Sequence, residues 1–255
     1  MNITLQINKS VEENAGLYFE KAKKAKKKLA GVAEILEKTE KRLEKLDKVE
    51  AKANIRKQKP KKEWYEKFRW MLTSEGNLVI GGRDSTTNDI LVKKHMERND
   101  LVFHADITGS PFSILKTERP TKQEKEEVAQ FTAINSKAFS LGLGSMDVYC
   151  VKPEQVGLSA PSGEYMQKGS FMIHGKKETF SVGFDFAAGL LKDGRVMVAP
   201  LPAVKVHCEH FISLRPGSKK KSDIVKKIQH EFEKYSSFMV VQEQVMSVLP
   251  PGNLS

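Results

Sequence analysis

The sequence has few cysteines, no long apolar stretch and no proline before residue 60. Cys150 and Cys208 are its two cysteines, and they lack CxxC spacing, which excludes a disulfide framework and predicts buried, reduced thiols. No run of 18 apolar residues occurs, and the first four residues lack the basic and apolar regions of a signal peptide. We therefore expect a cytoplasmic protein that has no membrane partner.

Motifs of nucleotide-dependent enzymes and of zinc sites are missing as well. Neither GxxxxGK[ST] nor GxGxxG occurs, so Gly81-Gly82-Arg83-Asp84 is not a phosphate loop by its spacing. This segment either brings backbone amides and a guanidinium to a phosphate or forms a tight turn with a surface Arg–Asp pair. His207, Cys208 and His210 alternate between faces and have no second ligand pair nearby. We predict no cofactor and no metal.

Charge is unevenly distributed. The net charge of the chain is +11, and residues 1–62 hold 18 Lys and Arg against 9 Asp and Glu. The remaining residues are nearly neutral, with 25 against 23. A cationic segment attached to a nearly neutral domain indicates an arm that lies along the phosphates of a polynucleotide.

The first 59 residues are predicted to form this arm as one long helix, from about Ser10 to Arg56. Gly31 is a glycine inside its Lys-, Glu-, Ala- and Leu-rich stretch, and Pro60 ends it. Apolar and small side chains follow alternating spacings of four and three, which is typical of a coiled coil. The partner helix is expected from a preceding segment of a longer protein, a second chain or a self-dimer; packing on the chain's own domain is the alternative. The positions concerned are Tyr18, Ala22, Ala25, Leu29, Val32, Leu36, Thr39, Leu43 and Leu46.

Residues 60–255 are predicted to form an α+β domain with a mixed β-sheet and two or three helices. An aromatic-rich stretch from Trp64 to Leu72 begins as a short helix or strand. Thr121 to Leu141 is predicted to be an amphipathic helix that has Thr121 as its N-cap, Glu124 in a capping box and Gly142 at its end. A last helix is predicted from about Lys219 to about Tyr235. The predicted strands are 78–80, 101–106, 112–116, 147–151, 170–174, 181–186, 195–199 and 204–210, where 101–106 and 112–116 form a hairpin.

Three segments carry side chains suited to RNA. His104 and Asp106 lie on one face of a predicted strand, where they could bind RNA or a metal or serve as a general acid–base pair, although a structural role is more common. Ser159–Tyr165 is a loop by composition, and its Tyr165 could stack on a base or belong to the core. The segment Arg215–Ser222 is the strongest basic cluster of the domain and precedes a predicted helix start, where free amides also favour phosphate.

These motifs resemble a known family. The stretch from Trp64 through Phe68, Trp70, Gly81–Asp84, Asn88, Asp100, His104–Asp106 and Gly109 is similar to the NFACT-R domain of the NEMF/RqcH family of ribosome quality-control factors. Ala160–Tyr165 and Gly169–Lys177 resemble the archaeal and eukaryotic branch. Ser10–Ala15 and the Lys-rich heptads are similar to the second half of that family's antiparallel coiled coil.

The resemblance implies RNA binding by the domain, on a large ribosomal subunit that carries a stalled nascent chain on tRNA. Family members also have an NFACT-N domain, a helix-hairpin-helix region and a first coiled-coil helix, which this sequence lacks by comparison. We therefore do not expect this chain alone to extend nascent chains.

We predict a non-enzymatic RNA-binding module whose partners are tRNA, the rRNA of the large subunit and a coiled-coil helix. An RNA-modifying enzyme that uses His104 and Asp106, or a subunit that binds only proteins, are the alternatives. The predicted RNA contacts are Arg83, Lys93, Lys94, His104, Asp106, Tyr165, Lys176, Lys177, Lys219, Lys220 and Lys221.

Overall fold

A computed structural model describes residues 4–53, 58–158 and 167–255, with the side chains of residues 34 and 41–53 left out. The chain divides into two compact units, Met1–Arg56 and Lys57–Ser255. Within the described residues, no helix combines the length and the apolar character that crossing a membrane requires.

The first unit is built on helix α1, Val11–Ala53, as the Lys-, Glu- and Ala-rich composition predicts. Ser10 begins the helix with a capping box, because its Oγ accepts from Glu13 N and the Glu13 carboxylate accepts from Ser10 N. The buried Asn14 amide donates to the carbonyl oxygens of Gln6, Lys9 and Ser10, which fastens the preceding segment to the first turn. The start of α1 is thus fixed by side-chain to backbone hydrogen bonds.

The predicted apolar stripe of α1 is open to solvent where its side chains are described. Leu29 is 71% exposed, and Val32 and Leu36 are also exposed. Tyr18 has a local role, because its hydroxyl donates to Thr4 O and accepts from Thr4 N. Leu43 and Leu46 lie outside the described side chains. An apolar stripe of this length gains stability only when another surface covers it.

The second unit contains a six-stranded sheet and two smaller ones. The strands are β1 Arg69–Leu72, β2 Leu78–Gly81, β3 Leu101–Ala105, β4 Ser113–Leu115, β5 Ser145–Val151, β6 Val156–Gly157, β7 Met172–Ile173, β8 Glu178–Gly183, β9 Phe186–Leu190, β10 Val196–Pro200, β11 His210–Leu214 and β12 Pro216–Lys219. The large sheet has the order β1-β2-β4-β3-β5-β8, the second sheet β10-β9-β11 and the third β6-β7. Every pairing within these sheets is antiparallel.

Six α-helices and two short 3-10 helices, Trp64–Lys67 and Pro153–Gln155, accompany these strands in the second unit, within the residues that are described. The α-helices are α2 Ser85–His95, α3 Lys122–Ile134, α4 Lys137–Ser140, α5 Leu201–His207, α6 Lys221–Glu233 and α7 Gln242–Val248. Helix α3 buries Val128, Phe131 and Ile134 against the large sheet, and α5 buries Val204 near β9 and β10. One continuous hydrophobic core includes residues of the six-stranded sheet and of the β10-β9-β11 sheet.

Glu124 shows how the capping box predicted for α3 joins two parts of the fold. Its fully buried carboxylate accepts from Thr121 N at 3.0 Å, from Asn77 Nδ2 at 2.7 Å and from Thr73 Oγ1 at 2.8 Å. Burial opposes ionisation, but these donors outweigh it and lower the pKa of Glu124. The ionised carboxylate therefore holds the β1–β2 turn to the start of α3.

The predicted α+β class is confirmed, as is the pairing of β3 with β4, in which Val102 faces Ile114. Two general features were wrong. The pairings are antiparallel, so the sheet is not mixed, and the helices outnumber the predicted two or three. The sequence offers no regular β-helix-β alternation, but it also has no pattern that specifies strand direction within a sheet.

Several element predictions were also wrong. Thr121–Leu141 is two helices, because the Ser136 hydroxyl donates to Ala133 O and accepts from Ala138 N, which ends α3 and caps α4. The strand predicted over 204–210 was wrong, because residues 204–207 are the end of helix α5. Pro202 occupies an early position of this helix, where a missing N–H is tolerated. Residues 181–186 span the end of β8 and the start of β9. The helix predicted over roughly 219–235 is confirmed as α6, although Lys219 itself ends β12 and a further helix, α7, follows.

Both cysteines are buried, free thiols, as predicted. Burial raises the pKa of each thiol to about 12, which leaves them protonated and poorly nucleophilic at neutral pH. His207 Nε2 lies 2.7 Å from Thr73 O, and the His210 ring stacks on Tyr235 with a centroid distance of 3.8 Å. The His207–His210 segment therefore uses its side chains for packing and hydrogen bonding.

Candidate nucleic-acid interface

Three separate segments of the second unit line an open cavity of about 520 Å³. The first is the start of α2 from Arg83 to Asn88, and the second is the β3–β4 connection from His104 to Phe112. The third is Gln167–Phe171, while Asn135 and Tyr149 complete the wall. Motifs that lie far apart in the sequence thus meet around one space.

Close backbone packing joins the first two segments. A side chain at Gly82 would place its Cβ only 1.8 Å from Asn88 Oδ1, so this position admits glycine alone. Gly82 N donates to Phe112 O at 3.0 Å, and Asn88 Oδ1 accepts from Phe112 N at 3.2 Å. The buried Asn88 side chain therefore sets the position of α2 relative to β4.

The third segment approaches α2 just as closely. Gly169 has a φ of +79°, and a Cβ there would lie 2.2 Å from Ser85 O. Only glycine meets both conditions, because the left-handed conformation and the short distance each disfavour a side chain. Gly169 thereby holds Gln167–Phe171 across the start of α2.

Asp84 is the N-cap of α2. Its carboxylate accepts from Thr87 N at 2.8 Å, and the hydrogen bond from this backbone amide is the main cause of the lowered pKa of Asp84. Lys168 lowers that pKa further through its charge. The cavity rim therefore carries an ionised carboxylate beside a lysine.

His104 and Asp106 line the same cavity but differ in exposure. The His104 ring packs on Phe112 with a centroid distance of 4.4 Å, and Tyr149 Oη lies 3.3 Å from His104 Nδ1. Burial lowers the pKa of His104 to about 4, so the ring is neutral at pH 7. Asp106 is exposed. A histidine with so low a pKa is a weak general base at neutral pH.

Arg83 lines the cavity, yet its guanidinium is directed to the protein interior. Nη1 donates to Ser247 O at 2.9 Å, and Nη2 donates to Phe68 O and Glu66 O at 2.9 and 3.0 Å. These bonds fasten the end of α7 to the short helical turn before β1. The predicted contact between Arg83 and RNA has no test here and stays a prediction.

The predicted lysine contacts lie in three places. Lys93 and Lys94 are in the last turn of α2, where Lys93 Nζ pairs with Asp89 at 2.7 Å. Lys176 and Lys177 are exposed, and Lys177 Nζ lies 4.2 Å from the centroid of the Tyr149 ring, which brings it next to the cavity. Their contact with RNA stays a prediction.

The third place is the segment before and at the start of α6. Lys219 and Lys220 are exposed, and Lys220 is the N-cap of α6. Lys221 is half-buried and donates to Leu249 O at 2.9 Å. Burial, with the nearby charges of Arg69 and Arg83, lowers the pKa of Lys221 to about 8. Tyr165 lies outside the described residues.

Among the cavity residues that sequence reasoning missed are Tyr149, Lys168 and Asn135. Tyr149 stands opposite His104 in the β3–β5 register, a pairing that no local pattern encodes. Lys168 precedes the Gly169 turn, and Asn135 follows α3. The Asn135-Ser136 pair, which interrupts a helical pattern with two residues that form local hydrogen bonds, was the available signal for Asn135.

Comparison with known proteins gives matches over most of the chain. A family model described as the NFACT protein RNA binding domain matches residues 67–175, and one described as NFACT N-terminal and middle domains matches residues 1–67. The chain belongs to the NFACT family. The resemblance found in the sequence motifs is thereby confirmed, and the first match contains every segment that lines the cavity.

The relatives with described roles include one archaeal and two animal proteins. The archaeal Rqc2 homolog aRqcH of Methanocaldococcus jannaschii is 37% identical over 210 residues, which are 80% of this NFACT chain and 30% of that protein. The ribosome quality control complex subunit NEMF homolog of Drosophila melanogaster is 38% identical over 136 residues, 51% of this chain and 13% of its own. NEMF of Homo sapiens is 37% identical over 131 residues, 51% of this chain and 12% of its own. This NFACT chain therefore spans less than a third of the length of these relatives.

Proposed function

We propose that this NFACT chain binds RNA, either tRNA or rRNA, on the large ribosomal subunit. It does so as part of cytoplasmic ribosome quality control. The observation that carries this proposal is the match of residues 67–175 to an RNA-binding domain whose motifs meet at one cavity. The descriptions of aRqcH and NEMF support the ribosomal setting. The chain acts by binding and not by catalysis.

Phosphate neutralisation supplies the affinity in this proposal. Lys176, Lys177, Lys219 and Lys220 are exposed cations, so each can approach a phosphate and release a counterion. Neutralising one such lysine should make the slope of log K against log salt less negative by about 0.8. Lys221 is a weaker candidate, because Leu249 O already accepts from its ammonium group.

The two units have different roles in this proposal. Residues 60–255 bind RNA, while residues 1–59 present the cationic helix α1, whose exposed apolar stripe takes a partner helix. The stripe supports this assignment because Leu29, Val32 and Leu36 are solvent-exposed along one line of α1.

Charge reversal tests the RNA-binding proposal. Lys219→Glu with Lys220→Glu should weaken tRNA binding and flatten its salt dependence, as measured by fluorescence anisotropy between about 50 and 300 mM salt. Lys192→Glu with Lys205→Glu, two exposed lysines elsewhere in the domain, is the matched control. Equal slopes for the two double variants would remove the Lys219–Lys220 pair from the interface.

A further inference from the structure

Trp64 is a large aromatic side chain on the surface of the second unit. It begins the short helical turn Trp64–Lys67 and is 50% exposed, whereas Trp70, the other tryptophan of the chain, is 3% exposed. Single exposed apolar side chains are common on proteins and need no explanation by themselves. Trp64 differs from them in the groups that surround it.

The His95 ring supports one face of the Trp64 indole. The two rings are stacked, with a centroid distance of 5.0 Å and an interplanar angle of 21°. His95 in turn meets the fully buried Phe68 ring edge to face at 5.3 Å, which ties the stack to the core. Burial, followed by the charges of nearby lysines, lowers the pKa of His95, so the supporting ring is neutral at pH 7. Because His95 covers one face of the indole and half of the side chain remains exposed, the opposite face is open to a ligand.

Three lysines next to Trp64 line a surface cavity of about 460 Å³. Lys59, Lys62 and Lys67 are all exposed, and none of them forms an ion pair with the residues that the structure describes. Lys67 Nζ lies 6.0 Å from the centroid of the Trp64 ring, so the lysine-lined cavity and the indole are adjacent. A flat aromatic surface beside free cations is the combination by which proteins hold single-stranded nucleic acid.

The lysine-lined cavity keeps a positive charge and an anchored wall. Of its two acids, Glu66 lies 3.8 Å from Arg195 Nη1, which offsets its charge, and this leaves the exposed Glu243 against three lysines. The chain just before these lysines is held in place, because Met239 N donates to Gln58 O at 3.0 Å. Phosphates can therefore approach lysines whose backbone is already fixed.

We propose that Trp64 is the platform on which one unpaired RNA base stacks, while Lys62 and Lys67 contact the adjoining phosphates. This inference rests on the proposed RNA binding and adds to it a contact that is specific for single strands. Every base has a flat face, so the contact tolerates any sequence. Bases within a duplex are stacked on their neighbours, so a duplex has no free face to offer Trp64.

Intrinsic tryptophan fluorescence reports on this contact directly. Trp64 and Trp70 are the two tryptophans of the chain, and only Trp64 is exposed enough for a base to reach it. A short single-stranded RNA titrated into the full chain should quench the exposed tryptophan emission, and the same sequence annealed into a blunt duplex should not. Trp64→Phe should abolish the quenching, while the anisotropy of labelled RNA still shows binding because a phenyl ring keeps a flat face.

Affinity measurements separate stacking from charge. Trp64→Leu keeps an apolar side chain but loses the flat ring, so it should weaken single-strand binding about tenfold without changing the slope of log K against log salt. Lys62→Gln with Lys67→Gln should instead make that slope less negative by about 1.4, since each lysine that neutralises a phosphate of a single strand contributes about 0.7.

Tyr235→Leu is the matched control for Trp64→Leu. Tyr235 is 52% exposed and stacks on His210 with a centroid distance of 3.8 Å, so it repeats the arrangement of an open aromatic ring on a histidine. Its neighbour Lys234 is paired with Glu231 at 2.7 Å and is therefore not a free cation. Tyr235→Leu should bind single-stranded RNA as the wild type does.

The outcomes separate this inference from the RNA-binding proposal. Quenching by the single strand together with the loss of affinity in Trp64→Leu would support the stacking site. RNA binding that leaves the tryptophan emission unquenched, or that is equally tight in Trp64→Leu and the wild type, would overturn the stacking site and leave RNA binding intact. Absence of binding to any RNA at low salt would overturn both.

Discussion

At the scale of single residues, the cavity depends on one glycine whose role is testable. Gly169→Ala should destabilise the chain by about 3 kcal/mol, since it combines left-handed strain with a clash against Ser85 O. Gly142→Ala is the matched control, because Gly142 has a φ of +72° and open space around it, and should cost only about 1 kcal/mol. Urea denaturation measures both; equal losses would show that the contact with Ser85 does not position Gln167–Phe171.

His104 should make stability depend on pH. Burial lowers its pKa from 6.5 to about 4, so the unfolded chain binds the proton more readily than the folded chain does. Stability is therefore unaffected by this ring above pH 6.5 and decreases as the pH falls toward 4.

His104→Gln tests this pH dependence. The thermal midpoint of the wild-type chain should fall between pH 7 and pH 5 by more than that of His104→Gln. His174→Gln, at an exposed histidine, should follow the wild type. The assignment fails if removing His104 leaves the pH dependence of the midpoint as it was.

Some cavity residues could be predicted from the sequence because they stand in short local motifs, and others could not because they reach the cavity only through tertiary packing. Gly82, His104 and Asp106 stand in short motifs whose spacing is visible in the sequence. Asn135 and Tyr149 reach the cavity through a helix break and a cross-strand register, both of which depend on tertiary packing. The directions of Arg83 and Lys221 toward backbone carbonyls likewise depend on α7, a helix that was not predicted.

At the scale of elements, strong local signals gave correct predictions and weak ones failed. The capping box of α3, the hairpin of β3 and β4 and the composition of α1 each determine structure within a few residues. Residues 204–210 alternate like a strand, yet packing near β9 and β10 and the proline at position 202 favour helix α5. Tertiary contacts outweigh the modest strand preference of two valines.

The apolar stripe of α1 leads to a prediction about association. In the absence of a partner helix, the full chain should self-associate at high concentration, because dimerisation buries Leu29, Val32 and Leu36. Sedimentation velocity should show that Leu29→Glu with Leu36→Glu shifts the chain to monomer. Lys23→Glu with Lys27→Glu is the control: it lies off the stripe, changes the net charge more than the two leucine substitutions do, and should retain the dimer. A wild-type chain that stays monomeric at all concentrations would rule out the self-dimer.

At the scale of the whole molecule, most of the net charge and the cavity belong to different units, which suggests separate roles for the two units. The arm carries most of the net positive charge, while the domain holds a shaped cavity in a nearly neutral unit. Long-range attraction to a polynucleotide would then come mainly from the arm, and discrimination among RNA sites from the domain. The class and the arm were predictable from composition, whereas the cavity required the assembled fold.

Co-sedimentation of the full chain with separated ribosomal subunits, across a range of salt concentrations, tests the central claim most directly. The account predicts that the chain pellets with the large subunit at low salt and is released steeply as salt rises, because phosphate contacts carry the affinity. A chain that stays in the supernatant with both subunits and also fails to bind free tRNA at low salt would contradict it.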